Sequence, residues 1–235
     1  MDTTMTTDAG LSAGALHRLL AWSSPSYPTG AFSYSHGLEW AVEEGTARNV
    51  DGLVDYVSAV LERGGGWVDA VLFVACWRAA GNAQALDELV ELAAAFRGSA
   101  ETALESRQQG QAFLSVTLRA WPDPRLAAFA DRIRGQPVAH CAAMAVACAF
   151  HGVALEPALH AFLHATAANL VSAGVRLVPL GQTDGQIALA TLASVVANTV
   201  ARALDADPNE LGTAAPGLEL ASFHHETQYT RLFRS

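Results

Sequence analysis

Apolar residues recur along most of this chain at three- and four-residue intervals, and Gly, Asn, Asp and Pro break the pattern rather than alternating β-branched runs. That spacing predicts an all-α protein, a single-domain bundle of about ten helices with a flexible C-terminal tail. Helices are expected near 12–22, 33–44, 51–63, 67–80, 83–97, 100–120, 124–134, 138–151, 157–173 and 184–204, with a short turn at 208–211. Residues 1–10 are expected to be disordered.

Several boundaries follow from local chemistry. Asn82 is placed to cap the helix that runs to Arg97, and Asp123-Pro124 opens another that stops at Gly135. Thr183 and Gln186 have the spacing of a reciprocal capping box. Gly64-Gly65-Gly66 reads as a hinge or tight turn within one domain. In the segment 184–204, Ile187, Leu189, Leu192, Val195, Val196, Val200 and Leu204 form a broad apolar face, and Ala190, Ala193 and Ala197 permit close approach of a neighbouring backbone. Such a helix belongs at the centre of a bundle or in a subunit contact.

Composition narrows the function. Charged residues are 16%, hydrophobic ones 51%, and the net charge is -9, which argues against a nucleic-acid backbone as partner. All 14 basic residues are Arg, so a Schiff-base lysine, a lysine general base and the lysine of a phosphate loop are excluded. Cys76, Cys141 and Cys148 are odd in number and form no C-x-x-C pair, which suits a reducing compartment. The first twenty residues do not read as a signal peptide, and the strongest apolar runs, such as 141–150, are too short to span a bilayer. The expected localisation is cytoplasmic.

Candidate chemistry is incomplete wherever it arises. Ser33-Tyr34-Ser35-His36-Gly37 has Ser where a nucleophile elbow needs its first Gly, and no strand precedes it. Ser35 and His36 are helix neighbours that diverge by about 100°, a poor geometry for sharing a proton. Glu156, His160 and His164 recur every four residues and could line a metal-binding face, though HExxH is absent. They support an alternative reading as a metal-dependent hydrolase using His160 and His164. Cys141 and Cys148 share a face but sit about 10 Å apart along the helix, too far for one metal. His224-His225 offers two imidazoles without further ligands, and no nucleotide-binding glycine motif is present. No catalytic, metal or cofactor-binding residue is assigned.

The end of the chain reads differently. Residues 212–235 carry Leu218, Leu220, Phe223, Tyr229, Leu232 and Phe233 with Arg231 and Arg234. Six apolar anchors at about 1.5–3 kcal/mol each fall short of the entropy of ordering some twenty residues at about 1–2 kcal/mol apiece. The tail therefore either docks on its own bundle, adding hydrogen bonds, or orders on a partner.

Four stretches together carry a specific resemblance: SPSYPTGAFSYSHGLEW near the start, ESRQQGQAFL at 105–114, GVRLVPLGQTDGQ at 174–186, and the terminal HETQYTRLFRS. The chain resembles the UreF-type urease accessory proteins. The resemblance implies an all-helical homodimer that is not an enzyme. It would act as a scaffold and chaperone in nickel insertion into apo-urease, binding UreD (also called UreH) and, through that complex, the GTPase UreG. It leaves open modulation of the partner's GTPase cycle and a path for nickel through the complex. The resemblance places Phe32, Tyr34, His36 and Glu39 in one signature and Arg176, Gln182, Asp184 and Gln186 in another, as surface or dimer contacts. It places Tyr229, Arg231, Leu232, Phe233 and Arg234 in a tail that binds the UreD-type partner and becomes ordered on it. GTP would be bound by UreG, which supplies the phosphate-loop lysine missing here.

Overall fold

A computed structural model describes residues 11–235; the expectation of disorder at 1–10 lies outside the described residues. The described residues form α1 (Ala13–Trp22), α2 (Leu38–Glu43), α3 (Val50–Arg63), α4 (Gly65–Ala79), α5 (Ala83–Ala95), α6 (Ala100–Ala120), α7 (Pro124–Arg132), α8 (His140–Phe150), α9 (Leu155–Leu177), α10 (Gln182–Asp205) and α11 (Pro216–Glu226). Short 3-10 turns lie at Ala31–Ser33 and Pro208–Glu210. Among the described residues there is no β-strand, and the fold is all-α as the apolar period predicts.

The centre is set by α8. Every residue from Cys141 to Cys148 is buried, so this helix is apolar on all sides and must be enclosed, here by α4, α6 and α9. All three cysteines are buried and unpaired, and burial pushes the Cys76 thiol up to about 12, which keeps it protonated and inert. The crossing of α6 over the start of α8 is tight at Gly110. A Cβ there would lie 2.2 Å from the Val138 carbonyl oxygen and 2.8 Å from the Ala139 carbonyl carbon.

Asn82 and Asp123 cap α5 and α7 as their sequence context predicts. Other boundaries move. The expected helix 33–44 begins only at Leu38, because Gly30, His36 and Gly37 take positive φ angles of 78°, 54° and 76°, and no α-helix passes through those values. The cap of α10 is two residues earlier than the Thr183-Gln186 box: Asp184 accepts the Gly181 N–H at 2.8 Å. Helix α11 is not apparent in the apolar pattern, and α9 extends to Leu177 rather than 173.

α9 and α10 are long and apolar enough by length and composition to cross a membrane, a test that the core helices of soluble proteins also pass. They pack against one another, α3 lies on both, and half of the apolar window of α9 is buried inside the bundle. α10 divides its apolar residues. Leu192, Val196 and Val200 are buried, while Ile187 and the small residues Ala190, Ala193 and Ala197 face outward.

Candidate functional site

The loop before α2 is shaped to receive α11. Its turn at Gly37 lies so close to α11 that a Cβ there would meet the Ser222 amide nitrogen at 2.8 Å. His36 is held in its left-handed conformation by the Tyr56 hydroxyl, which donates to the His36 carbonyl at 2.7 Å. Ahead of these turns Tyr34 runs extended, and the flanking Ser33 carbonyl and Ser35 N–H are left to pair.

The last residues supply the partners. The Arg234 N–H donates to the Ser33 carbonyl and the Ser35 N–H to the Ser235 carbonyl, each at 2.8 Å, and the Ser35 hydroxyl donates to the same Ser235 oxygen. Beside this pairing the buried Glu39 accepts the Leu232 N–H at 2.6 Å and the Phe233 N–H at 2.9 Å. A buried carboxylate is tolerated only when its lone pairs are met, and two successive backbone amides meet them.

Around Glu39 a polar cluster joins four parts of the chain. The fully buried His225 of α11 has Nε2 3.2 Å from Glu39 and Nδ1 2.7 Å from Glu101 of α6, and Arg231 reaches Glu101 at 2.6 Å. One turn along α6, Glu105 pairs with His36 at 3.0 Å, accepts the Ser235 hydroxyl at 2.8 Å and takes the Gln109 amide at 2.7 Å. Arg176 of α9 donates to the Phe32 carbonyl at 3.0 Å and lies 4.4 Å over the Phe233 ring, a cation–π contact.

A cavity of about 460 Å³ lies beside this cluster, lined by His36, Asp69, Glu105, His140, Phe162 and Ser222 among others. Asp69 pairs with Arg97 at 2.8 Å. Burial raises the carboxyl, but the guanidinium outweighs it and holds Asp69 below the usual carboxylate range. Burial pushes His140 down to about 4, so its imidazole is neutral near pH 7. The Ser35 hydroxyl is committed to Ser235 and His36 to Glu105, so neither activates the other.

The site residues named from sequence thus separate. Phe32, Tyr34, His36, Glu39 and Arg176 come together with the tail. Tyr34 and Glu39, expected at a surface or dimer contact, turn inward instead, the Tyr34 hydroxyl bonding Gln108. Gln182 and Gln186 are exposed on the first turns of α10, and Asp184 is spent on its cap. In the tail, Phe233 is buried in its own bundle and Arg231 is bound to Glu101, while Tyr229, Leu232 and Arg234 are exposed. His160 and His164 are exposed on α9, and among the described residues no group of three or more His, Cys, Asp or Glu could hold a metal ion. His224 stacks on Trp40 at 4.9 Å, away from His225's carboxylates. Sequence reasoning missed Glu101, Ser35 and His225 as a unit. The only signal was that buried charges at these positions would need partners.

His36 makes the site pH-sensitive. Burial disfavours its imidazolium, but the Glu105 carboxylate overrides this and raises its pKa above 6.5. A folded-state value above the unfolded one stabilises fully below pH 6.5 and is lost as pH rises through the raised value. Thermal unfolding followed across that interval is expected to show stability falling with rising pH, and His36→Gln to flatten this part of the slope. An unaltered slope in the variant would contradict the assignment.

Comparison with known proteins adds to this geometry. A family model described as UreF matches residues 47–193. A relative from Granulibacter bethesdensis, named urease accessory protein UreF, is 52% identical over 223 residues, covering 94% of each chain. Relatives of the same name from Bradyrhizobium diazoefficiens and Rhodopseudomonas palustris strain BisB5 are 47% and 48% identical. They cover 97% and 98% of this chain and 94% and 96% of their own. At that coverage the alignments include the first signature, which the family model does not reach.

Proposed function

Because the chain belongs to the UreF family of urease accessory proteins, we propose that it is a scaffold that holds a UreD-type (UreH) protein and the GTPase UreG near apo-urease while nickel is inserted. It is an accessory protein of urease rather than an enzyme. Nickel is the cargo of the assembly, and GTP is bound by UreG. The observation that carries this reading is the meeting of the three signature stretches with the last residues of the chain on one surface. There Phe32, Tyr229 and Leu232 remain exposed while their neighbours are fixed from below. Exposed aromatic and aliphatic side chains on a braced backbone are what a protein partner grips, because their burial is favourable and the backbone's ordering entropy is already met.

A second surface supports a homodimer. α10 presents Ile187, Ala190, Ala193 and Ala197 outward, and only a third of its most apolar window is buried within the chain. An identical helix fits such a strip, because small residues let two backbones approach. Light scattering of the purified chain is expected to give the mass of two copies, and Ala193→Arg with Ala197→Arg that of one. Both positions are exposed, so the fold should persist. Co-purification with the two partners, followed by mass measurement, tests the scaffold itself; a chain that retains neither partner would overturn it.

A further inference from the structure

Glu39 is where the C-terminal segment is held, and its surroundings give it a specific task. Its two oxygens take successive amides, those of Leu232 and Phe233, at a bend in the chain. The bend leaves Leu232 64% exposed and Phe233 4%. The carboxylate therefore decides which side chains the tail shows to solvent.

Beneath Glu39, His225 faces a carboxylate oxygen with each ring nitrogen. Only the imidazolium has two N–H donors. In that state His225 and Arg231 balance Glu39 and Glu101. The charged and titratable groups around it are Glu39 from α2, Glu101 from α6 and Arg231 from the tail. On α11 itself, His224 stacks on Trp40 and Glu226 accepts the Ala100 N–H. Glu105, the next carboxylate on α6, is occupied by His36 and Ser235. A neutral imidazole would turn a lone pair toward one of two carboxylates and leave the cluster with excess negative charge, pushing α2 and α6 apart under the tail.

We propose that Glu39 is the positioning residue for the partner-facing edge of the tail, and that His225, bridging Glu39 to Glu101 as an imidazolium, makes that positioning depend on a proton. The proposal rests on the reading of the tail as a grip.

Hydrogen exchange of the full chain reads the latch without any partner. Protection of the Leu232 and Phe233 amides, corrected for intrinsic exchange, is compared at about pH 6 and about pH 9. In the wild type it is expected to fall at least about tenfold, the scale of one charge-assisted hydrogen bond. Glu39→Gln should lose about tenfold at both pH values, since an amide oxygen replaces only one of two acceptors. His225→Gln should abolish the pH dependence, and His36→Gln should leave it in place. A flat wild-type profile, wild-type protection in Glu39→Gln, or a profile that vanishes in His36→Gln instead would each overturn the proposal. If Glu39→Gln also exposes α8, the wild-type profile and His225→Gln decide. Capture of a UreD-type protein is measured alongside: tail protection lost as expected while capture stays intact upholds the latch and removes the grip.

Discussion

Removal of residues 225–235 is expected to abolish capture of a UreD-type protein, by about a hundredfold or more in affinity, while the far-ultraviolet circular dichroism stays that of an all-helical chain. The loss takes away the exposed Tyr229 and Leu232, apolar side chains with surface to offer a partner. It also removes the braces, Phe233 under Arg176 and the amides on Glu39, that hold the loop at Phe32 in place. Two or three buried anchors at about 1.5–3 kcal/mol each are enough for that effect. The helices survive because the tail beyond α11 contributes only Phe233 to the main apolar core. Glu39 and Glu101 then face water and hydrate, so the damage stays local. Tyr229→Ala with Leu232→Ala in the full chain separates grip from brace: it should weaken capture while leaving tail protection unchanged. Full-affinity capture by the truncated chain would show that the partner grips elsewhere.

Gly110→Ala is expected to be among the most destabilising single substitutions in the molecule, at about 3 kcal/mol or more, for the addition of one methyl group. The atoms it would strike are backbone: the Val138 oxygen at 2.2 Å, the Ala139 carbonyl carbon at 2.8 Å and the His140 nitrogen at 2.9 Å. No rotamer change relieves that contact, so α6 must separate from the start of α8, the most enclosed helix of the fold. At about 2–4 °C per kcal/mol for a chain of this size, the melting temperature should fall by roughly 6–12 °C. Gly65→Ala is the control. A Cβ at that exposed position meets nothing within 4 Å, and the change should stay within about 0.5 kcal/mol. Equal melting temperatures for the two variants would mean that the α6–α8 crossing is looser than described.

The sites of these two predictions were legible in the chain to different degrees. Gly110 lies within ESRQQGQAFL and Tyr229 to Arg234 within HETQYTRLFRS, so both stretches drew notice through the family resemblance. What Gly110 touches depends on the entry into α8 at 138–140, which no local pattern relates to it. The caps at Asn82 and Asp123 were readable because a cap is a contact between residues two or three apart. The start of α2 was misread because apolar spacing continues through Phe32 to Leu38 while the backbone turns at Gly30, His36 and Gly37. α11 escaped because docking against α2 and α6, rather than a strong stripe of its own, stabilises its eleven residues.

Sequence alone settled the all-helical character, the identity of most helices and the absence of any lysine-dependent chemistry, because period, capping and composition are properties of near neighbours and of residue type. Tertiary structure alone decided that His225 meets Glu101 and Glu39 across 124 and 186 residues, that Phe233 turns in and Leu232 out, and that Ser35 is taken by Ser235. The reason is physical. A buried charge must find its opposite somewhere, and one-dimensional spacing says that a partner is needed without saying which distant residue the packing of helices will bring to it.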